Sequence, residues 1–99
     1  MSLPKVRFTP SAAADIEHAA QWYDAERAGL GAEFQAELWR LLDLLVTMPQ
    51  MGPIAHHDLR RVLLRRFPYA AYYRIVGEVL EIRAFLHHRE DRTVRLRRP

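Results

Sequence analysis

Near residue 59 the apolar residues of this chain change their spacing from threes and fours to twos, and neither an all-helical nor an all-β fold accommodates that change. Upstream, Ala12, Ile16, Ala19, Ala20 and Tyr23 recur at helical spacing, as do Phe34, Leu38, Leu41, Leu42 and Leu45. Downstream, Leu59 to Phe67, Tyr69 to Val76 and Val79 to Leu86 are rich in β-branched, aromatic and leucine residues, punctuated by Pro68 and Gly77-Glu78. The first part is therefore helical and the second a meander of three strands.

Local signals set the boundaries. Lys5-Val6-Arg7-Phe8 alternates as a short strand and runs into Thr9-Pro10, a helix cap followed by proline at the first helical position. The first helix is expected from about Pro10 to Ala28, with Gly29 as a left-handed stop, and the second from about Ala32 to Met48, where Pro49 and Gly52-Pro53 break the pattern. So short a connection makes the helices antiparallel neighbours. Residues 50–58 are turn-rich and are expected to cross from helix to sheet as a loop. In the last strand Leu80, Ile82, Ala84 and Leu86 alternate with Val79, Glu81, Arg83 and Phe85, so one set faces the core and the other faces out.

A one-sided sheet needs a cover, and the helical hairpin is the only cover available. The fold class is α+β, in the order β-α-α-β-β-β, with the hairpin on one face of a small, mainly antiparallel sheet. The uncovered face is expected to carry Arg60 or Arg61, Arg65 or Arg66, Arg83 and aromatics from the Tyr69 to Tyr73 segment. With 99 residues the chain is one domain, its ends at 1–5 and 93–99 expected to be flexible. No apolar run reaches the roughly 18–20 residues that cross a bilayer, and Met1-Ser2-Leu3-Pro4 lacks the regions of a secretory signal, so a cytoplasmic location and no membrane partner are expected.

Charge is divided unevenly. Residues 1–50 hold four Lys/Arg and seven Asp/Glu, whereas residues 51–99 hold eleven Arg and five Asp/Glu. A basic half of this kind meets nucleic acid, an acidic protein surface, or solvent alone. Catalytic options are few. With no cysteine, and with serine only at Ser2 and Ser11, a nucleophilic triad has no nucleophile in a suitable turn. Adjacent histidines at 56–57 and 87–88 point to opposite faces in extended chain, so neither a metal nor any other cofactor is expected. The helical carboxylates Asp15, Glu17, Asp24, Glu26, Glu33, Glu37 and Asp43 read as a solvated outer face. What remains is arginine and aromatic residues on a sheet, which serve equally to hold RNA during cleavage or to anchor a protein partner.

Three stretches carry a family resemblance. They are Val6-Arg7-Phe8-Thr9-Pro10 with Ala14-Asp15-Ile16 and Trp22-Tyr23; Phe34 through Leu45 with Pro49-Gln50-Met51-Gly52; and Arg65-Arg66-Phe67-Pro68-Tyr69-Ala70-Ala71-Tyr72-Tyr73-Arg74 with the last strand and His88-Arg89. Together they resemble the ParE/RelE toxin superfamily, and Phe-Pro-Tyr followed by Tyr-Tyr is similar to its ParE branch, the plasmid-stabilisation toxins. The resemblance implies a cytoplasmic toxin neutralised by a ParD-like antitoxin, with DNA gyrase as target and binding rather than catalysis as the mode of action. Residues for target binding are then Arg60, Arg61, Arg65, Arg66, Tyr69, Arg83, Arg89 and Arg92. Trp22, Trp39 and Leu44 are assigned to the antitoxin, with core packing or isolated exposure as the alternative. The other branch of the superfamily implies an endoribonuclease acting on messenger RNA at the ribosome, which would draw on Arg61, Arg83, His87, His88 and Arg89. Two groups of that pattern are missing here: its sheet arginine falls on Ala70, and no tyrosine follows Tyr73.

Overall fold

The computed structural model describes residues 5–87. Its elements run β1 (Lys5–Phe8), α1 (Pro10–Glu26), α2 (Leu30–Thr47), β2 (Ile54–His56), β3 (Leu59–Leu63), β4 (Tyr69–Val76) and β5 (Val79–His87). The strands form one sheet in the order β1-β5-β4-β3-β2, with β1 parallel to β5 and every other pair antiparallel. Both helices cover the same face. Phe34, Leu38, Leu42 and Leu45 of α2 and Ala12, Ala19, Ala20 and Tyr23 of α1 share one core with Val62, Ala71, Tyr73, Leu80, Ile82 and Phe85 of the sheet. Lys5, expected in a flexible end, is the first residue of β1; residues 1–4 and 93–99 lie outside the described part.

The helix starts and stops follow from local chemistry. The Thr9 hydroxyl accepts the Ala12 N–H at 3.2 Å, so the first turn of α1 is capped and Pro10 sits where no amide donor is needed. Helix α1 stops at Glu26, two residues before the expected Ala28. Gly29 is left-handed, as expected, but at φ +89° it caps the start of α2, which begins at Leu30 rather than Ala32. Gly31 then lies where the helices touch. A Cβ there would stand 2.5 Å from the Ala20 carbonyl oxygen, and its N–H is donated to Asp24 at 2.8 Å.

Four expectations need correction. The crossing loop 50–58 contains a strand, so four strands rather than three follow the helices. Three residues are too short to show a period, and the β2–β3 turn closes on His57, which takes φ +52°. The strand expected at 59–67 ends at Leu63, because Glu37 on α2 accepts the backbone N–H groups of Arg65 and Arg66 and draws residues 64–68 into a turn. Glu37 is therefore buried rather than a solvated helical carboxylate, and Asp15 likewise accepts the Phe85 N–H.

The last correction concerns β5. Tyr73 pairs with Ile82 and Tyr72 with Ala84, leaving Arg83 as the extra residue of a β-bulge. A bulge reverses the alternation beyond it. Leu80 and Ile82 face the helices as expected, but past Arg83 it is Phe85 that enters the helix-side core, while Ala84 and Leu86 join Ala70 and Tyr72 in a second cluster on the other face. All four are buried, so the face expected to be uncovered is open to solvent only in part, around Arg7, Arg74 and Arg83. Phe85 stacks on Tyr69 at 5.1 Å and lies edge-on to Phe34 at 5.5 Å.

Candidate functional site on the open face of the sheet

Register places Arg7, Arg74 and Glu81 on the face away from the helices, since Glu81 lies opposite Arg7 on one side and Arg74 on the other. Arg83, two residues on from Glu81, joins the same group. Arg7 Nη2 donates to Glu81 Oε2 at 2.6 Å, Arg74 Nε to Oε1 at 2.9 Å, and Arg83 Nη1 to Oε1 at 3.3 Å. One buried carboxylate thus gathers three guanidinium groups from β1, β4 and β5. Arg74 also faces Asp58 at 3.6 Å.

Electrostatics follow from that geometry. The hydrogen bond from Arg7, aided by those from Arg74 and Arg83, lowers the Glu81 carboxyl from its ordinary 4.5 to about 2 against the opposing effect of desolvation. Arg74 is raised in turn, mainly by its hydrogen bond to Glu81. Glu81 is therefore ionised throughout the neutral range, and the cluster keeps more positive than negative charge.

The arginines expected here divide into two groups. Arg83 is on the open face, and Arg61, opposite Tyr72, shares that face by register, with its Nε buried and without a hydrogen-bond partner among the described residues. Arg60 instead donates to the carbonyl oxygens of Gln50 and Gly52 and pins the loop before β2. Arg65 and Arg66 leave the sheet in the turn after β3. Arg66 pairs with Glu33 of α2 at 3.0 Å and lies over the Phe67 ring. Tyr69 faces the helices, among Tyr23, Phe34 and Phe85, because the outward tyrosine of β4 is Tyr72. His87 lies edge-on to Tyr69 at 5.2 Å. His88, Arg89 and Arg92 lie outside the described residues.

Trp22, Trp39 and Leu44 are all exposed, but they do not form one patch. Trp39 packs against Phe8 of β1 at 6.3 Å, and Trp22 against its neighbour Tyr23. Leu44 opens into a groove of about 630 Å³ between α2 and β3, lined by Leu41, Leu63 and Leu64 together with Arg40, Arg65, Arg66 and the single carboxylate of Glu37.

The sequence reading passed over Arg7, Arg74 and Glu81 as a site. A signal was available: Glu81 is a lone carboxylate inside a strand of the arginine-rich half, flanked by Leu80 and Ile82.

The family model for the ParE toxin of the type II toxin-antitoxin system parDE matches residues 6–92, most of the chain. The chain belongs to the ParE toxin family. Among solved structures it is similar to a chain of the chromosomal ParDE toxin-antitoxin system from P. aeruginosa, at 19% identity and TM-score 0.76, covering 86% of this chain and 96% of that one. It is also similar in fold to YafQ from E. coli, at 12% identity and TM-score 0.62, covering 86% and 93%. A mutant of the same E. coli protein gives TM-score 0.58 at 12% identity over the same shares. No curated protein matches the chain. The two-helix, five-strand arrangement is thus that of the ParE/RelE fold.

Proposed function

We propose that this ParE-family protein is the toxin of a type II pair and arrests growth by binding a large cytoplasmic target, DNA gyrase first, until a ParD-like antitoxin neutralises it. The observation that carries binding over cleavage is Ala70. At the position where the ribonuclease pattern has its sheet arginine, this chain has a methyl group 1% exposed and packed with Tyr72, Ala84 and Leu86.

Neutralisation uses a different part of the surface. The α2–β3 groove, apolar around Leu44 and basic in its balance of charge, suits an amphipathic acidic antitoxin segment that orders on binding. Trp22 and Trp39 offer further apolar contact on the hairpin.

Two measurements test the reading. Induced expression should arrest growth, and co-expression of a neighbouring gene, if it encodes a short frame with a ribbon-helix-helix start, should relieve it. Purified protein should then lower gyrase supercoiling while messenger RNA in a translating extract stays intact. RNA cut by the wild type and spared by a His87/His88/Arg89 triple alanine variant would replace gyrase inhibition with the ribosome-dependent endoribonuclease reading.

A further inference from the structure

One arginine would neutralise the charge of Glu81, yet three guanidinium groups gather on it. Each uses one of its five N–H donors on Glu81 within hydrogen-bond distance, and together they place three positive charges around one negative. The side chains of Arg74 and Arg83 are each 35% exposed and that of Arg7 is 58% exposed, so donors remain for water even with one Nη of Arg74 turned toward Asp58 at 3.6 Å. Without Glu81 the three cations would repel and spread. With it they are held together on three adjacent strands, and the side-chain entropy of arranging them is lost on folding rather than on binding.

The bulge at Arg83 is the second, independent observation. It interrupts β5 two residues from Glu81 and turns Phe85 into the core, while Glu81 and Arg83 share one face by ordinary two-residue alternation. Bulges recur where a side chain must be aimed, and a network that served only to fasten β1 to β5 would be complete with Arg7 and Glu81.

We propose that Arg7, Arg74 and Arg83, positioned by Glu81 on the open face of the sheet, form a preorganised seat for a phosphoryl oxyanion. Several forked donors and a surplus of positive charge are the chemistry that recognises phosphate oxygens. Glu81 is a positioning residue, since its carboxylate repels the ligand it prepares for. Two sources present this chemistry: a free phosphate such as pyrophosphate, or the phosphodiester of a nucleic-acid strand. The seat's biological use rests on the toxin reading, because it lies on the face assigned to the target, but its chemistry does not.

The test is fluorescence anisotropy of a labelled short single strand with the full chain, with pyrophosphate as competitor and as ligand alone. Arg74→Gln and Arg83→Gln should each weaken binding about ten-fold, the size of a lost charge-assisted hydrogen bond. The exposed controls Arg27→Gln and Arg27→Ala should change it by no more than about two-fold, as removal of one distant charge does. Glu81→Gln carries the sign test. It makes the chain more positive, so a diffuse basic surface would bind more tightly, whereas a positioned seat loses about ten-fold. Arg7→Gln, at the exposed sheet edge, serves if Glu81→Gln fails to fold by near-ultraviolet circular dichroism.

Displacement of the strand by pyrophosphate that also binds alone assigns a free phosphoryl ligand, and binding of the strand only assigns a phosphodiester. Binding of neither, equal losses in the controls, or tighter binding by Glu81→Gln overturns the seat. Growth arrest separates the two proposals: arrest without phosphoryl binding sinks the seat alone, and phosphoryl binding without arrest sinks the toxin reading alone.

Discussion

Replacement of Glu81 by glutamine tests the physics of the open face in the folded protein itself. The carboxyl sits at about 2 in the fold against an ordinary 4.5. At about 1.4 kcal/mol per unit, that difference sets an upper bound of about 3–4 kcal/mol on what ionised Glu81 adds to stability. Screening reduces it, because Arg7 is mostly solvated, and about 1–2 kcal/mol is expected at neutral pH. For a domain of about 100 residues, that is a fall in Tm of roughly 5–15 °C. The sign with pH is set by the direction of the shift. A depressed carboxyl contributes fully above its unfolded value and loses the contribution as pH falls toward its folded value. The gap between wild type and Glu81→Gln should therefore be constant above about pH 5, shrink below it and close near pH 2. Urea titrations at a series of pH values measure it. A gap below about 0.5 kcal/mol at neutral pH, or one that persists undiminished near pH 2, would refute the reasoning.

Other positions offer shorter tests. Gly31→Ala should cost about 1–3 kcal/mol by thermal melting, since its Cβ would meet the Ala20 carbonyl and the Asp24 side chain, both at the helix–helix contact. Tyr73→Phe removes the hydroxyl that donates to the Pro49 carbonyl and accepts the Gly52 N–H, and should lose about 1–3 kcal/mol in urea denaturation by leaving both backbone groups unpartnered. Glu37→Gln should speed hydrogen exchange at the Arg65 and Arg66 amides while leaving the centre of β4 protected, because its carboxylate holds that turn to α2. Leu44→Asp should weaken capture of the antitoxin at least about ten-fold in a pull-down titration and leave growth arrest intact, as burying an unpaired charge in an apolar groove costs several kcal/mol.

Much of the architecture was legible in the chain alone. The Thr9-Pro10 start, the stripe from Phe34 to Leu45 and the shift to a two-residue period are local signals, and local geometry settles them without reference to distant residues. They led to a hairpin on one side of a sheet, and the ordered motifs led to the ParE/RelE superfamily. Arg83 on the open face followed from the same alternation.

What the chain could not reveal depends on contacts between residues far apart in sequence. The parallel pairing of β1 with β5 brings Arg7 beside Glu81, 74 positions away, and no periodicity encodes which strands become neighbours. The end of β3 depends on Glu37 reaching across from α2, and the exchange of Phe85 for Ala84 and Leu86 depends on one unpaired residue at Arg83. Sequence determined which residues are apolar and how they repeat, because burial free energy acts on each side chain where it stands. Tertiary structure decided which charges meet, because an ion pair exists only once the backbone has brought its partners within a few ångströms.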